Sequence, residues 1–573
     1  MKFIRVNMTD KSVQNEEVPE KYLGLGGRGL TSIMINHEVP GTCDPLGPEN
    51  LLIFAPGSLS GTPLVNTSRI SVGAKSPFTG TIKESNAGGS IAADLGRLGI
   101  TAVIVEGKPE ENDLSFLKID AKGHAQLIAA NDYRGMRTYE CVASIKKEYG
   151  QNQTVMCIGP AGEQLMPIAS IQATDVDGRP CRAAGRGGLG AVMGAKGLKA
   201  LIVDPSGKDA DAIADPDAFK EAGKAFARVI KADHMAGQVM PAFGTAALVA
   251  PVNSLGAFPC FNARKGVMEG WEKISGEAMA EIIKKRGGKT THMGCSQCII
   301  HCSNEYVDDQ GKYITSSLEY ETIWASGGMT GIDDLDTIAR FDFMCDDIGI
   351  DTMNAGVGIA IAMDSGYRSF GDKEALLEML EEIAKGSEIG KVFGRGPEAV
   401  GRHFNNDHVP AVKGQSIAAY DPRGMKGNGV TFATSPMGAD HTAGNVVGEY
   451  LTNKLDPLAK KGQAAASKNL QVAMAAVDCT GLCFMAATVL ENPEAGIAFL
   501  KAINAKFGTD FGPDAIPEMG IRVLKAEREF NKKAGFTAKD DRLPRFFYEE
   551  PLSPHNTVFD IGDDELDAVH SWS

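Results

Sequence analysis

Short apolar runs of four to six residues punctuate the first two hundred positions, at 3–7, 51–56, 69–72, 102–106, 155–158 and 200–204. Runs of this length, rich in Val, Ile and Phe and separated by glycine-rich turns, predict strands. After Pro205-Ser206-Gly207 the apolar spacing changes to one residue in three or four, which predicts amphipathic helices at 216–236, 277–286, 335–347 and 373–385. A stretch rich in glycine, proline and asparagine, 403–428, predicts a boundary or an elaborated loop, and helical spacing resumes at 462–477, 493–507 and 515–534. The expected fold class is therefore α+β: a β-rich N-terminal domain over 1–205, then two mainly α-helical domains over 206–412 and 413–573. The acidic, proline-bearing tail, 542–573, is expected to wrap the surface.

One loop carries an unmistakable metal-ligand rhythm. Cys295, Cys298 and Cys302 form C-x2-C-x3-C within G-C-S-Q-C-I-I-H-C-S-N. Thiolates this close repel one another unless a cation draws them together. A zinc site would usually supply a second close pair, and His301 adjoins Cys302, which makes a shared metal awkward. The spacing favours a [4Fe-4S] cluster whose fourth ligand comes from elsewhere.

The glycines also cluster, at 24–30, 66–80, 84–89 and 182–190. Gly24, Gly26 and Gly29, and again Gly185, Gly187 and Gly190, match G-x-G-x-x-G letter for letter. The dinucleotide fingerprint needs a strand immediately before the first glycine, and K-Y-L and R-P-C-R-A-A do not supply one. Arg28, Arg69, Arg182 and Arg186 sit in or beside these loops, where backbone N–H groups and guanidinium forks suit a phosphate-bearing cofactor. A second pattern repeats: D-D-I-G-I-D at 346–351 and D-C-T-G-L-C at 478–483. Each follows an apolar helical stretch, so the glycine is expected to end the helix and leave carboxylates able to accept from the N–H edge of a heterocycle.

Composition narrows the partners. At 573 residues, 43% hydrophobic and 23% charged, the chain can form two to four domains with sizeable cores. Its formal charge of −15 disfavours nucleic acid and advertises no basic electron-transfer patch. Residues 1–8 are too short and polar for a signal core, and no apolar run is expected to reach the length of a membrane span. Eleven cysteines without an export signal point to reduced thiols, metal ligation and a cytoplasmic location.

In combination these pieces resemble one family, the tungsten-containing aldehyde:ferredoxin oxidoreductases, over nearly the whole chain. The order runs G-G-R-G-L, N-T-S-R-I-S-V-G-A-K-S-P-F-T-G, S-N-A-G-G, A-G-R-G-G-L-G-A-V-M-G, C-x2-C-x3-C, E-Y-E-T, D-x-x-G-I-D, G-A-D-H and D-x-x-G-L-C. The resemblance implies a β-rich base domain under two helical domains, with tungsten, or less readily molybdenum, held by two pterins. It puts Asp346, Gly349 and Asp351 on one pterin and Asp478, Gly481 and Leu482 on the other. Arg69 would lie between cofactor and cluster. The backbone carbonyls of Asn86 and Ala183 would bind a Mg2+ bridging the pterin phosphates, with Arg182 close by. Cys483 would be the fourth cluster ligand, with Cys479 its local competitor.

The resemblance also picks out Glu321 of E-Y-E-T, rather than its neighbour Glu319, and His441 of G-A-D-H as catalytic. Glu321 would orient or deprotonate water and His441 donate to the carbonyl oxygen, with the division into acid and base left open. Some relatives hold an iron between subunits through E-x-x-H; none of the ten histidines here has a glutamate three residues before it, so no such iron is expected. The implied reaction is oxidation of a small aldehyde, with electrons passed to ferredoxin or an iron-sulphur subunit. Whether the chain forms a homo- or hetero-oligomer stays open. The same scaffold running a low-potential reduction of a carboxylic acid or aromatic thioester is one alternative; a non-catalytic electron-transfer protein is the other.

Overall fold

The structure is a computed structural model that describes residues 1–110, 113–207 and 213–572. Ser573 and residues 208–212, just beyond the predicted 205/206 boundary, lie outside the described residues.

The N-terminal region folds into two six-stranded sheets. In the first the order is Ser12–Glu17, Lys2–Asn7, Ile100–Glu106, Leu52–Pro56, Ile70–Lys75, Ile82–Ala87. In the second it is Arg182–Ala184, Ile171–Ala173, Thr154–Cys157, Leu198–Val203, Ser115–Ile119, Ala125–Ala129. Each sheet has a single parallel pair, Lys2–Asn7 with Ile100–Glu106 and Leu198–Val203 with Ser115–Ile119; the other pairs are antiparallel. Val6, Phe54 and Val103 of one sheet share a buried apolar core with Leu117, Met156 and Leu201 of the other. Every one of the six predicted strands forms, with ends shifted by one to three residues.

The rest of the chain is mainly helical, and its ends are chemically marked. Lys373–Lys385 starts where the Asp372 side chain accepts from the Ala375 N–H and stops at Gly386, in the left-handed region. Pro493–Phe507 is capped in the same manner by Asn492 and Gly508. Thr352–Asp364 has no polar face, because it lies inside the core. One buried core joins Trp324, Ile359, Met425 and Phe559, so it spans both sides of residue 412. Phe226 of Pro216–Ala232 meets Phe499 of Pro493–Phe507 in another, with ring centroids 5.5 Å apart.

Several expectations need correcting. The tail does not merely wrap the surface: Phe546, Phe547, Phe559, Ile561, Leu566 and Val569 insert into the helical core, because isolated apolar residues can anchor an otherwise polar segment. The first long helix stops at Ala232, where Asp233 turns extended and its carboxylate caps the Ala236 N–H. Residues 403–428 are not only loop; they include the end of the helix Pro397–Phe404, a small hairpin at Ala411–Val412 and Gln415–Ser416, and a mostly buried path between. One run, Met235–Ser254, does reach membrane-span length by composition, with mean hydropathy 1.3 and a third of it buried. Gly244, at φ +60°, breaks it into short helical pieces whose Met240, Val249 and Val252 are core.

Candidate cofactor and redox site

The two repeated turns are clamped to the two sheets. Leu335–Ile348 ends at Gly349 in the left-handed conformation, and the Gly349 carbonyl accepts from Ser170 N–H at 2.9 Å while Asp351 N–H donates to Ile168 at 3.0 Å. Gln463–Thr480 ends at Gly481, likewise left-handed, whose carbonyl accepts from Arg69 N–H at 3.2 Å. Ser58 and Leu59 N–H groups donate to Cys479 and Thr480, both at 3.0 Å. Two glycines explain the approach: a Cβ on Gly27 would lie 2.0 Å from the Asp478 carbonyl oxygen, and one on Gly57 2.0 Å from the Gly481 nitrogen. The first glycine loop thus accommodates a turn of the chain and not a dinucleotide.

Between the clamped turns lies a cavity of about 390 Å³. Its wall includes Arg69, Asn86, Arg182, Ala183, Glu321, Asp346, Asp351, His441 and Asp478, with all four of Cys295, Cys298, Cys302 and Cys483. Gly349, Gly481 and Leu482 do not reach the wall: the glycines shape the turns, and the Leu482 side chain is buried in an apolar cluster.

The cysteine run connects strand Lys289–His292 to strand Ser303–Val307. Cys295, Cys298, Cys302 and Cys483 are half-buried, whereas the other seven cysteines, among them Cys181 on the same wall, are buried. Cys479 points away, its Sγ 3.0 Å from the Ala475 carbonyl and packed beside Gly29. Burial pushes Cys298 up to about 11, helped by charge on Cys295 and Cys483. Cys302 is driven up by burial, Glu319 and its fellow thiols. Such a group needs a cation to ionise together, and that suits a cluster.

Asn66, quoted in the N-T-S-R motif but given no role there, ties this group together. Its N–H donates to Gln297 at 3.1 Å and its carbonyl accepts from Cys483 N–H at 2.8 Å. Its side chain accepts from Ile299 N–H at 3.3 Å and donates to Cys298 Sγ at 3.4 Å. The signal was an asparagine at a left-handed position, φ +61°, visible only once the backbone is known.

The four loop arginines divide. Arg28 makes a two-pronged pair with buried Glu527, at 2.8 and 2.9 Å, and reaches Asp478 at 3.3 Å. Arg186 donates to Ala439 and Ser416 carbonyls at 2.9 and 2.7 Å and to Asp351 at 3.4 Å. Both have their donors committed to protein partners; Arg28 lies off the cavity wall, whereas Arg186 is part of it. Arg69 and Arg182 face the cavity with capacity in hand. Arg69 donates to the Asn86 side chain and, at 3.2 Å, to the Asn86 carbonyl. Arg182 donates to Ser317, and its buried Nε has no partner among the described residues. Burial opposes the Arg182 charge, but Cys295, Cys181 and Glu319 more than offset it.

The carboxylates of the two turns are unequally supported. Asp346 receives no hydrogen bond on its carboxylate among the described residues, and burial, then Asp342, pushes it well up against the pull of Arg182. Asp351 is engaged on both oxygens, by Met353 N–H at 2.9 Å and by Asn354 and Arg186, as the cap of Thr352–Asp364. Burial raises Asp478 to about 6 despite Arg28 and Arg69.

Glu319 and Glu321 differ in the same way. Glu319 accepts from both Thr245 and Ser317. Among the described residues Glu321 accepts only from Ala419 N–H, at 2.9 Å, and burial pushes it up to about 8. His441 is pushed down to about 4 by burial, with Asp440 opposing, and its buried Nδ1 has no hydrogen-bond partner among the described residues. Lys83, which no motif singled out, and Asp440, the aspartate of G-A-D-H that was given no role there, form a buried pair at 2.6 Å beside it.

Comparison with known proteins finds relatives over nearly the whole chain. Residues 3–205 match the family model for the aldehyde ferredoxin oxidoreductase N-terminal domain, and residues 221–568 the model for its domains 2 and 3. The chain is 35% identical to the tungsten-containing aldehyde ferredoxin oxidoreductase of Pyrococcus furiosus over 96% of this chain and 92% of that one. The protein of the same description from Thermococcus kodakarensis gives the same identity and coverage. Among solved structures, the active site complex BamBC of benzoyl coenzyme A reductase superposes with a TM-score of 0.81 at 21% identity, over 99% of this chain and 92% of that one; this likeness shows a shared fold.

Proposed function

Since this chain belongs to the aldehyde ferredoxin oxidoreductase family, we propose that it oxidises aldehydes to carboxylic acids at a tungsten (or molybdenum) bis-pterin, passing electrons through one [4Fe-4S] cluster. The observation that carries the reading is the single cavity shared by four half-buried thiols, both D-x-x-G turns, Glu321 and His441.

The residues fit the implied groups on their own terms. The free Asp346 carboxylate and the partnerless Arg182 Nε are polar capacity that a buried wall does not leave unused without a ligand. Asp346 and Asp478 would accept from pterin N–H groups, and Arg182 would face phosphate, with the Asn86 and Ala183 carbonyls offering oxygen to Mg2+. When bound, the metal-pterin supplies Lewis acidity and takes up the electron pair.

The rest is the chain's own work. Overall, aldehyde and water give carboxylate, three protons and two electrons, so the site must bind a carbonyl, move protons and deliver electrons singly. Glu321 and His441 are among the cavity groups whose protonation is shifted toward such duty. Cys295, Cys298, Cys302 and Cys483 would hold the cluster next to Arg69, whose guanidinium lies within 3.4 Å of the Cβ position of Gly88, itself 2.6 Å from Cys295 Sγ. A ferredoxin or iron-sulphur subunit would receive the electrons, and the cytoplasm, where thiols stay reduced, is the compartment this reading requires.

The test is metal and pterin analysis of anaerobically purified protein together with a dye-linked aldehyde panel. Tungsten or molybdenum, pterin fluorescence after oxidation, and aldehyde-dependent dye reduction are expected. A pure protein lacking both metals and pterin would overturn the proposal.

A further inference from the structure

We propose that Asp440, held by Lys83, positions His441 with its proton on Nδ1, leaving Nε2 to accept a proton from the water that attacks the aldehyde carbonyl. The role rests on the aldehyde-oxidising reading above, which brings aldehyde and water to this cavity.

The loop that carries the pair is pinned from several sides. Arg186 and Gln415 both donate to the Ala439 carbonyl, immediately before Asp440. Asp440 Oδ1 accepts from Thr442 N–H and hydroxyl at 3.1 and 3.2 Å, and Oδ2 accepts from Lys83 Nζ at 2.6 Å. Lys83 belongs to strand Ile82–Ala87, and its stem passes under Gly187, where a Cβ would come within 2.4 Å of Lys83 Cγ. Both ends of the pair are therefore fixed: a lysine 1% exposed on a sheet strand, and an aspartate on a clamped turn.

His441 Nδ1 lies 3.8 Å from Asp440 Oδ1 and is buried with no hydrogen bond among the described residues, while the ring lines the cavity. The charged groups facing the ring are Asp440, Arg186, Lys83 and Arg69, and the carboxyls of Glu321 and Asp478 also sense Asp440. Asp440 is the anion beside Nδ1, so a single ring proton is favoured there, and the cations oppose a second. Lys83 and Arg186 keep Asp440 ionised against burial while the ring is neutral. That leaves the Nε2 lone pair as acceptor. Glu321 takes the complementary part: its Oε2 is held by Ala419 N–H, and its carboxyl, protonated at neutral pH, can donate to the developing oxyanion.

The step balances without an oxidant. One water O–H bond breaks as the C–O bond forms, the proton goes to Nε2, and the carbonyl π pair moves onto oxygen facing Glu321. The product is a hydrate anion plus imidazolium, which Asp440 then pairs with. Removal of two electrons follows in the reaction already proposed.

The test uses the loaded holoenzyme with a dye acceptor. Wild-type kcat/KM should be lost as pH falls through about 4, where His441 gains its proton, and as pH rises through about 8, where Glu321 loses its own. Asp440→Asn should lower the plateau by about 100-fold and leave the alkaline limb in place. Metal content and the cluster's spectroscopic signal should not change. The charge-neutral double variant Lys83→Met/Asp440→Asn, which leaves no unpaired buried ion, should show the same loss. In a His441→Asn background Asp440→Asn should cost nothing further. Ring-15N labelling should show the proton on Nδ1 in wild type. A full Asp440→Asn loss in the His441→Asn background, or a proton on Nε2, would overturn the role of Asp440. A wild-type holoenzyme that oxidises no aldehyde would instead bring down the functional reading itself.

Discussion

The turns at 346–351 and 478–483 share a sequence pattern and a backbone, yet they meet their cofactor cavity with different electrostatics. Each ends a long helix at a left-handed glycine, and each glycine carbonyl is bound by a backbone N–H at the end of a sheet strand or beside it, Ser170 in one case and Arg69 in the other. Beyond that they part. Asp346 stands without a donor, while Asp478 is backed by Arg28 and, through it, Glu527. The last residue of the first turn, Asp351, caps the next helix; the last residue of the second, Cys483, joins three thiols from nearly two hundred positions upstream. A repeated turn therefore sets where the backbone goes. Its charge and chemistry are set by whatever the rest of the fold brings to it.

The largest expected effect tests what the second turn alone contributes. Cys483→Ser should reduce iron from about four atoms per chain to near zero and abolish electron delivery. Cys479→Ser, one turn earlier and buried on the far side, should keep iron and activity. Equal iron loss in the two variants would break the distinction.

Next comes the difference in ionic support. Arg28→Leu strands the buried Glu527 carboxylate and should destabilise the protein by about 3–5 kcal/mol in urea unfolding. The nearest counterpart at the first turn is Thr138, whose hydroxyl donates to the Asp346 carbonyl at 2.8 Å; Thr138→Val should cost only about 1 kcal/mol. Similar losses would mean that the turns are supported alike after all.

The smallest effect is a pH slope. Asp478 is raised in the folded protein, to about 6, above the ordinary aspartate value of about 3.9. The folded state then binds more protons than the unfolded chain between these values, so stability of cofactor-stripped protein should fall as pH rises through that window. One such group contributes at most about 1.4 kcal/mol per pH unit. Asp478→Asn should flatten that part of the slope, and urea midpoints measured from pH 4 to 6 would show it.

Much of this molecule was legible in its sequence because the signals were local. Strand runs such as 102–106, the 373–385 helix and its caps, and the cysteine rhythm all depend on neighbours a few residues away. Even the glycine at each helix end could be read. The tail could not: Phe546 and Phe559 look like strays in an acidic segment until a core exists to receive them. The arginines divide for a similar reason. Arg28 and Arg186 carry the same side chain in the same kind of loop as Arg69 and Arg182, and only the packing decides that Glu527 draws Arg28 off the cavity wall while Arg186 stays on it with its donors taken by the Ser416 and Ala439 carbonyls.

The sequence by itself therefore determined the order of elements, the four-thiol inventory, the paired turns and the family. Tertiary structure decided which carboxylates are left free, which arginines face the cavity, that Asn66 and Lys83 belong to the site at all, and that Asp440 is the partner of Lys83. The physical reason is that propensity, caps and ligand spacing act through adjacent residues, whereas burial and Coulomb interactions depend on groups brought close from distant strands and helices. Lys83 and Asp440 stand 357 positions apart in the chain and 2.6 Å apart in the fold.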